Sequence, residues 1–415
     1  MKIFLSHPTG NQFVRHALKA LEEAELLQFF FTGVATFPGN VWDLISKTKP
    51  GAEFSRRRFD SRLREKTVQQ PYRELARLIA PRIGLRRLTT HEIGRFSVDR
   101  VYRSMDHKVA KQLRTLRESR SHSQKSATDI TAVYAYEDGA LETFRTAREQ
   151  GLHCLYDLPI GYWRAAHRIQ GEECERLPEW AATMPALIDS DEKVARKDQE
   201  LQLADLIIVA SSFTAKTLEE SPHDLLKPVV IPYGCPDVGD AGSRRLESGG
   251  SGRKSGGAGQ TPLRVLFVGG LSQRKGVSYL LDAVDQLGAT VELTLIGRKP
   301  EVTCRPLDAA LAKYSWIPSL PHEKILETMR QHDVFVFPSL FEGFGLVITE
   351  ALSQGLPVIT TPHTCGPDIL TDGDDGFIVP IRDSQAIAEK LELLHHDRER
   401  LAAMRAAALK TAQRT

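Results

Sequence analysis

No C-x-x-C pair occurs among the five cysteines, Cys154, Cys174, Cys235, Cys304 and Cys365. An odd, widely spaced set excludes a disulfide framework and a zinc site, and it fits a reducing compartment. Long apolar runs are lacking too: nothing approaches the roughly 18 consecutive apolar residues of a membrane-spanning helix. Met1–Leu5 leads straight into His7-Pro8-Thr9-Gly10 with no signal-peptide core, so the expected location is the cytoplasm, including the inner face of the membrane. Charge of one sign is also missing. Lys+Arg number 55 against 53 Asp+Glu, a net charge of +2, which excludes a globally electrostatic nucleic-acid binder.

The balance hides an uneven distribution. Between Lys47 and Lys125 there are 22 Lys/Arg and 8 Asp/Glu, a local net of +14 that leaves −12 for the rest of the chain. A basic block in an otherwise acidic protein has two readings: solvated helix faces, or a patch that meets an anionic membrane surface or lipid-linked partner. Nucleic acid is not expected as a partner, because aromatic residues are sparse in the block.

A chain of 415 residues implies two or three domains at roughly 150 residues each. Lys2–Leu5, a Gly/Pro loop, amphipathic Asn11–Leu27 and apolar Phe29–Phe31 open a βαβ unit. Residues 40–126 interrupt the pattern as a basic helical insertion, with helices expected at Tyr72–Ile79 and Val101–Leu116. Alternation then returns: strand at Ile130–Tyr136, helix at Gly139–Gln150, strand at His153–Asp157, helix at Glu192–Ala204 and strand at Asp205–Ala210. Gly239–Thr261, with eight glycines, reads as a linker. Beyond it come strands at Leu263–Val268, Val291–Ile296, Val334–Phe337 and Val358–Thr361, with helices at Gly276–Leu287, His322–Arg330 and Gly345–Gln354. The chain therefore divides into residues 1–238, a linker at 239–261, and residues 262–415. Both halves are α/β, each a doubly wound Rossmann-like domain.

Two stretches carry chemistry. In Phe337–Glu350 a strand ends, a loop holding Glu342 follows, and a helix starts near Gly345 with Glu350 inside it. The first-turn amides and positive dipole end of that helix form a ready anion site. Carboxylates such as Glu342 and Glu350 suit the vicinal hydroxyls of a sugar or ribose, although spacing alone equally fits a capped core helix with two surface glutamates. In Leu266–Gly276, Gly269 and Gly270 follow a strand and let backbone approach a ligand. Arg274 and Lys275 bring fixed positive charge where a diphosphate would need it, or form a solvated basic turn. The stretch matches neither G-x-G-x-x-G nor G-x-x-x-x-G-K-[ST].

Taken in order, Val230-Ile231-Pro232-Tyr233-Gly234, the Arg274-Lys275-Gly276 turn, and Glu342-Gly343-Phe344-Gly345-Leu346 with Glu350 resemble the retaining glycosyltransferases of the GT-B fold, family 4. That resemblance implies two Rossmann-like domains facing a cleft and transfer of a sugar, with retention, from a nucleotide-diphosphate donor to a glycan or lipid-linked acceptor. It implies no metal and no resident cofactor. Arg274 and Lys275 would neutralise the diphosphate, Glu342 would contact the donor sugar, and Glu350 would bind the ribose. The backbone of Gly343, Phe344, Gly345 and Leu346, with Gly269 and Gly270, would line the donor, and Gly10 would face its phosphates. Trp316-Ile317-Pro318 lies where relatives hold the base. His7, Asp157 and Trp163 are the acceptor-side candidates.

The chain departs from the family at Gly270, where many relatives carry Arg, and at Tyr156-Asp157, where many carry His. Relatives also commonly extend past the Ala/Arg-rich helix near Thr415 with an aromatic-containing helix. The D-x-D matches at Asp189–Asp191 and Asp372–Asp374 are discounted as metal motifs. Competing functions of the same fold are a nucleotide-sugar epimerase or phosphorylase, and a non-catalytic scaffold.

Overall fold

A computed structural model describes residues 1–49, 51–122, 130–236 and 261–415. The linker expected at 239–261 lies outside the described residues except for Thr261. By internal contacts the chain forms two compact units. The first comprises Met1–Pro159, Asp189–Ile208 and Pro222–Val229; the second comprises Ile160–Ile188, Val209–Ser221 and Val230–Thr415.

The first unit is built on a seven-stranded sheet among the described residues, in the order β3-β2-β1-β4-β5-β6-β7. Its strands are β1 (Lys2–Ser6), β2 (Leu27–Thr32), β3 (Thr67–Gln69), β4 (Ile130–Tyr136), β5 (His153–Leu158), β6 (Leu206–Val209) and β7 (Val229–Val230). Pairing from β3 through β5 is parallel, with Leu5 opposite Phe30 on one side and Tyr134 on the other. Helices cover a parallel sheet on both faces, so its strands read as continuous apolar runs rather than alternations. Ile3, Phe4 and Leu5 are accordingly all buried.

The second unit has a six-stranded, all-parallel sheet in the order β10-β9-β8-β11-β12-β13. Here the strands are β8 (Leu263–Val268), β9 (Val291–Ile296), β10 (Ser315–Ile317), β11 (Val334–Phe337), β12 (Val358–Thr360) and β13 (Gly376–Ile378). Its core joins Val265, Phe267, Leu295, Phe335 and Phe337 of the sheet to Leu280, Val284, Ile348, Leu352 and Leu391 of the helices. Two parallel-sheet Rossmann-like units are what the repeated strand–helix pattern predicts.

The basic segment at 40–126 is not an appendage. It supplies β3, which pairs with β2, and the helix Val98–His122. Val101, Met105, Val109 and Leu113 recur every four residues along that helix and are buried, which gives it an apolar seam beneath its charges. The first unit also ends earlier than residue 238. Helix Trp163–Arg176 places Ala165, Ala166 and Ile169, and the segment after β6 places Ala210 and Phe213, in the second core. No helix among the described residues is long and apolar enough to cross a membrane.

In each sheet the strand order reverses once, between β1 and β4 and between β8 and β11. Open α/β sheets bind ligands outside the carboxyl ends of their strands at such points. The loop after β1 carries His7 and Gly10, the loop after β8 leads to Arg274 and Lys275, and the loop after β11 carries Glu342.

Candidate functional site

In the second unit, β8 ends at Val268 and the chain turns through Gly269, at φ +155°, into a 3-10 turn at Gln273–Lys275. Gln273 fixes this turn from beneath. It is fully buried, its amide N–H donates to the Thr183 hydroxyl (3.0 Å), and its side-chain nitrogen donates to Glu173 (2.8 Å) and Ser278 (2.6 Å). Gly276 closes the turn at φ +67°, and a Cβ there would lie 1.9 Å from the Pro338 carbonyl oxygen. Only glycine lets the turn press against the loop that follows β11. The Arg274 carbonyl then accepts from the Leu340 amide (2.9 Å) and the Ser339 hydroxyl (3.1 Å).

This contact brings together three side chains that the sequence names separately. Arg274 Nη1 donates to Glu342 Oε1 (2.8 Å) and to the Phe341 carbonyl (2.7 Å), while Lys275 Nζ pairs with Glu342 Oε2. Glu342 is only 7% exposed. Burial pushes its pKa up, but the paired Lys275 and Arg274 outweigh that and bring it below the usual value. Lys275 also lies 4.8 Å from the centre of the Phe337 ring. Burial, with the Arg274 charge beside it, lowers its pKa to about 8 against the pull of Glu342. Two cations sharing one carboxylate leave a net charge of about +1 in a largely desolvated place, a strong attraction for an anion.

The helix Leu346–Ser353 starts directly beyond. Its cap, Gly345, is left-handed at φ +94°, which turns the chain from loop into helix. Amides in the first turn of a helix have no intrahelical acceptor and face outward from its positive end. Ser211 and Thr214 hydroxyls hold the Gly343 carbonyl (2.6 and 2.9 Å), and the Cys365 amide holds that of Phe344 (2.8 Å). The Phe344 ring is buried against Tyr233, so any ligand contact from this residue comes from its backbone. Leu346 is half-buried, and Gly270 is exposed with open space where a side chain would stand. Glu350, inside the helix, accepts from or pairs with His322 Nε2 at 3.0 Å; burial raises its pKa against that contact. Trp316 lies in β10, its Nε1 donating to the Gly297 carbonyl (2.9 Å).

In the first unit His7 is a brace. Its Nδ1 accepts the amides of Gly10 (2.9 Å) and Thr9 (3.2 Å), Nε2 lies 3.4 Å from the Tyr102 hydroxyl, and the ring is 3% exposed. Burial, reinforced by the Arg57 charge, lowers its pKa to about 3, so the ring stays neutral and shapes the Gly10 turn. Gly10 itself is left-handed, at φ +56°. Asp157 accepts from the Tyr134 hydroxyl (2.8 Å), and burial raises its pKa to about 6. Trp163 is in the second unit, with Arg164 stacked 4.2 Å from its ring centre. The three acceptor-side candidates therefore divide between the units, two and one.

His91, Glu92 and Asp189 bring ligand atoms within 4.8 Å of one another. Lys193 (2.8 Å) and Lys197 (3.1 Å) already occupy both Asp189 oxygens. Burial raises the Asp189 pKa, but the lysines overcome this and bring it to about 2. Ammonium groups stand where an ion would have to, so the set does not fit a metal. Asp372 accepts from the Ile378 amide (2.9 Å), as a turn residue does.

Residues 251–411, the span holding the Arg274–Lys275 turn, Glu342 and Glu350, match the family Glycosyl transferases group 1. Phosphatidyl-myo-inositol mannosyltransferase of Mycobacterium leprae is 35% identical over 155 residues, 35% of this chain and 41% of that protein. The match thus spans less than half the relative's length. Over the whole chain the fold is similar to sucrose-phosphate synthase from Thermosynechococcus elongatus, with TM-score 0.62, 15% identity and coverage of 100% and 94% of the two chains. It is also similar to Anabaena HepE, solved in complex with UDP, with TM-score 0.60, 15% identity and coverage of 100% and 95%.

Within residues 251–411, sequence reasoning missed two features. One is the Gly276–Pro338 contact; the left-handed glycine is visible as a residue, but its neighbour is not. The other is Gly297, at φ +152°, where a Cβ would meet the Gly269 carbonyl oxygen at 1.7 Å. That glycine lets the loops after β8 and β9 lie against each other.

Proposed function

We propose that the chain transfers a sugar from a nucleoside diphosphate to a glycan or lipid-linked acceptor, with retention of anomeric configuration. The observation that supports this most is the Arg274–Lys275–Glu342 cluster beside the Gly345-capped helix. As the bond from the sugar's anomeric carbon to the diphosphate oxygen breaks, negative charge gathers on the departing phosphate. Lys275, Arg274 and the first-turn amides at Leu346 stabilise that charge more than they stabilise the intact donor. The two side chains supply the positive charge that the leaving group needs, so this reading calls on no metal.

Before the donor arrives, Glu342 holds both cations in position. When the diphosphate takes them over, the carboxylate is released to accept hydrogen bonds from the sugar hydroxyls. The acceptor hydroxyl then attacks from the face the diphosphate leaves, giving its proton to the departing phosphate oxygen. Glu350 accepts from the ribose hydroxyls. Contact with an anionic membrane surface through residues 47–125 belongs to the same reading and would bring a lipid-linked acceptor to the first unit.

The ribose role is tested by calorimetric titration of UDP, GDP and ADP. For whichever binds, Glu350→Ala weakens affinity by about 10- to 100-fold, the cost of losing hydrogen bonds to a charged group. Unaltered affinity removes Glu350 from the site.

A further inference from the structure

Helices Pro71–Ile79 and Val98–His122 pack together in the first unit, and a groove of about 350 Å³ is lined by Arg73 of the first and Arg100, Arg103, Ser104 and His107 of the second. Among the described residues no carboxylate lines it. The four residues on the longer helix follow i, i+3, i+4, i+7 spacing and therefore share one face. Arg73 donates to the Arg95 carbonyl (2.9 Å), and Arg103 lies 3.2 Å from Glu192 and 4.0 Å from Asp99. The Arg100 guanidinium meets no carboxylate among the described residues. Ser104 accepts from Gln70 Nε2 (3.0 Å), and its own hydroxyl hydrogen can still be donated. Three guanidinium groups around one groove repel each other unless an anion sits among them, and their planar forks match phosphate oxygens.

The surrounding segment shows what carries that phosphate. Residues 72–98 expose Tyr72 (63%), Ile79, Ile83 (63%), Leu85, Ile93 (81%) and Val98. Large apolar side chains left in water beside arginines are the composition of segments that lie in a lipid headgroup layer. We propose that the groove is a binding site for the phosphate headgroup of an anionic lipid, with neighbouring apolar side chains entering the bilayer surface. This rests on the reading that the basic block meets a membrane, and it names the headgroup site.

The test is flotation of the full chain with phosphatidylcholine vesicles, with and without phosphatidic acid. Binding is expected only when phosphatidic acid is present. Arg100→Glu, which changes two units of charge in the groove, lowers the partition by about thirtyfold. Arg56→Glu makes the same charge change at an exposed arginine that does not line the groove, and it leaves the partition near wild type. Arg73→Gln, on the facing helix, weakens binding as well, and circular dichroism verifies that each variant is folded. Equal losses in Arg56→Glu and Arg100→Glu overturn the groove while sparing membrane contact. Absence of any vesicle binding overturns both. Thermal stabilisation by inorganic phosphate or a polyanionic glycan without vesicle binding overturns the lipid as ligand. Sugar transfer to a soluble acceptor is unchanged in Arg100→Glu, so failure here is separable from failure of the transferase reading.

Discussion

Replacing Lys275 by alanine is expected to lower the turnover of sugar transfer by about a thousandfold while leaving the fold intact. Lys275 places a desolvated ammonium group at the Gly276 turn, paired with Glu342 and over the Phe337 ring. Removing one preplaced donor from a developing anion costs about 10²- to 10³-fold in rate. Loss of this lysine sits at the upper end because it carries a full charge. The variant should still fold, since Arg274 continues to pair with Glu342 at 2.8 Å and no carboxylate is left alone in the interior. Turnover by steady-state release of nucleoside diphosphate, with a melting temperature measured alongside, decides the matter. A folded Lys275→Ala chain that turns over like the wild type would remove the leaving-group role from this residue.

Glu342→Gln should move the pH dependence of kcat/KM. Burial lowers the Lys275 pKa to about 8, so in the free enzyme the lysine is charged below that pH and neutral above it. A reaction that needs the ammonium form loses kcat/KM as pH rises through about 8. The groups facing Lys275 are Glu342, which raises its pKa, and Arg274, which lowers it. Taking away the only negative charge of the three lowers the pKa further, and the alkaline limb moves down by about one to three pH units. At neutral pH the variant is then poorly active, and activity recovers as the pH is lowered. A limb that stays in place would show that Lys275 is not the group titrating.

The parts of the fold that can be read from sequence are those whose strands are buried on both faces. Ile130–Tyr136, Leu263–Val268, Val291–Ile296 and Val334–Phe337 are observed at the bounds their apolar runs predict. Strand β3 is missed because Thr67, Val68 and Gln69 are each half-buried at the sheet edge and leave no apolar run. Helix Trp163–Arg176 is missed for a different reason. Gln170 and Glu173 face inward with its alanines, so polar residues occupy positions that periodicity would reserve for apolar ones. Glu173 is there to accept from Gln273, Tyr279 and Arg382, partners at least 100 residues away.

The site shows the same division. Arg274, Lys275, Glu342 and Gly345 are singled out by type and by their place after a strand, although spacing alone equally fits a capped core helix and leaves a solvated basic turn open. Their pairing across 68 residues is not legible, because it depends on Gly276 meeting Pro338. His7 illustrates the converse. A histidine in the loop after β1 reads as a plain loop residue or as a substrate contact, and only its burial and its two amide donors reveal a brace.

The measurement that bears most directly on donor binding by this cluster is thermal stabilisation by UDP-, GDP- and ADP-sugars, on the wild type and on Lys275→Ala. A ligand that binds only the folded state raises the melting temperature by mass action. Stabilisation by one nucleotide sugar, lost in Lys275→Ala, is the result expected if the diphosphate sits at the Arg274–Lys275 turn. Equal stabilisation of both proteins, or none of either, would contradict it.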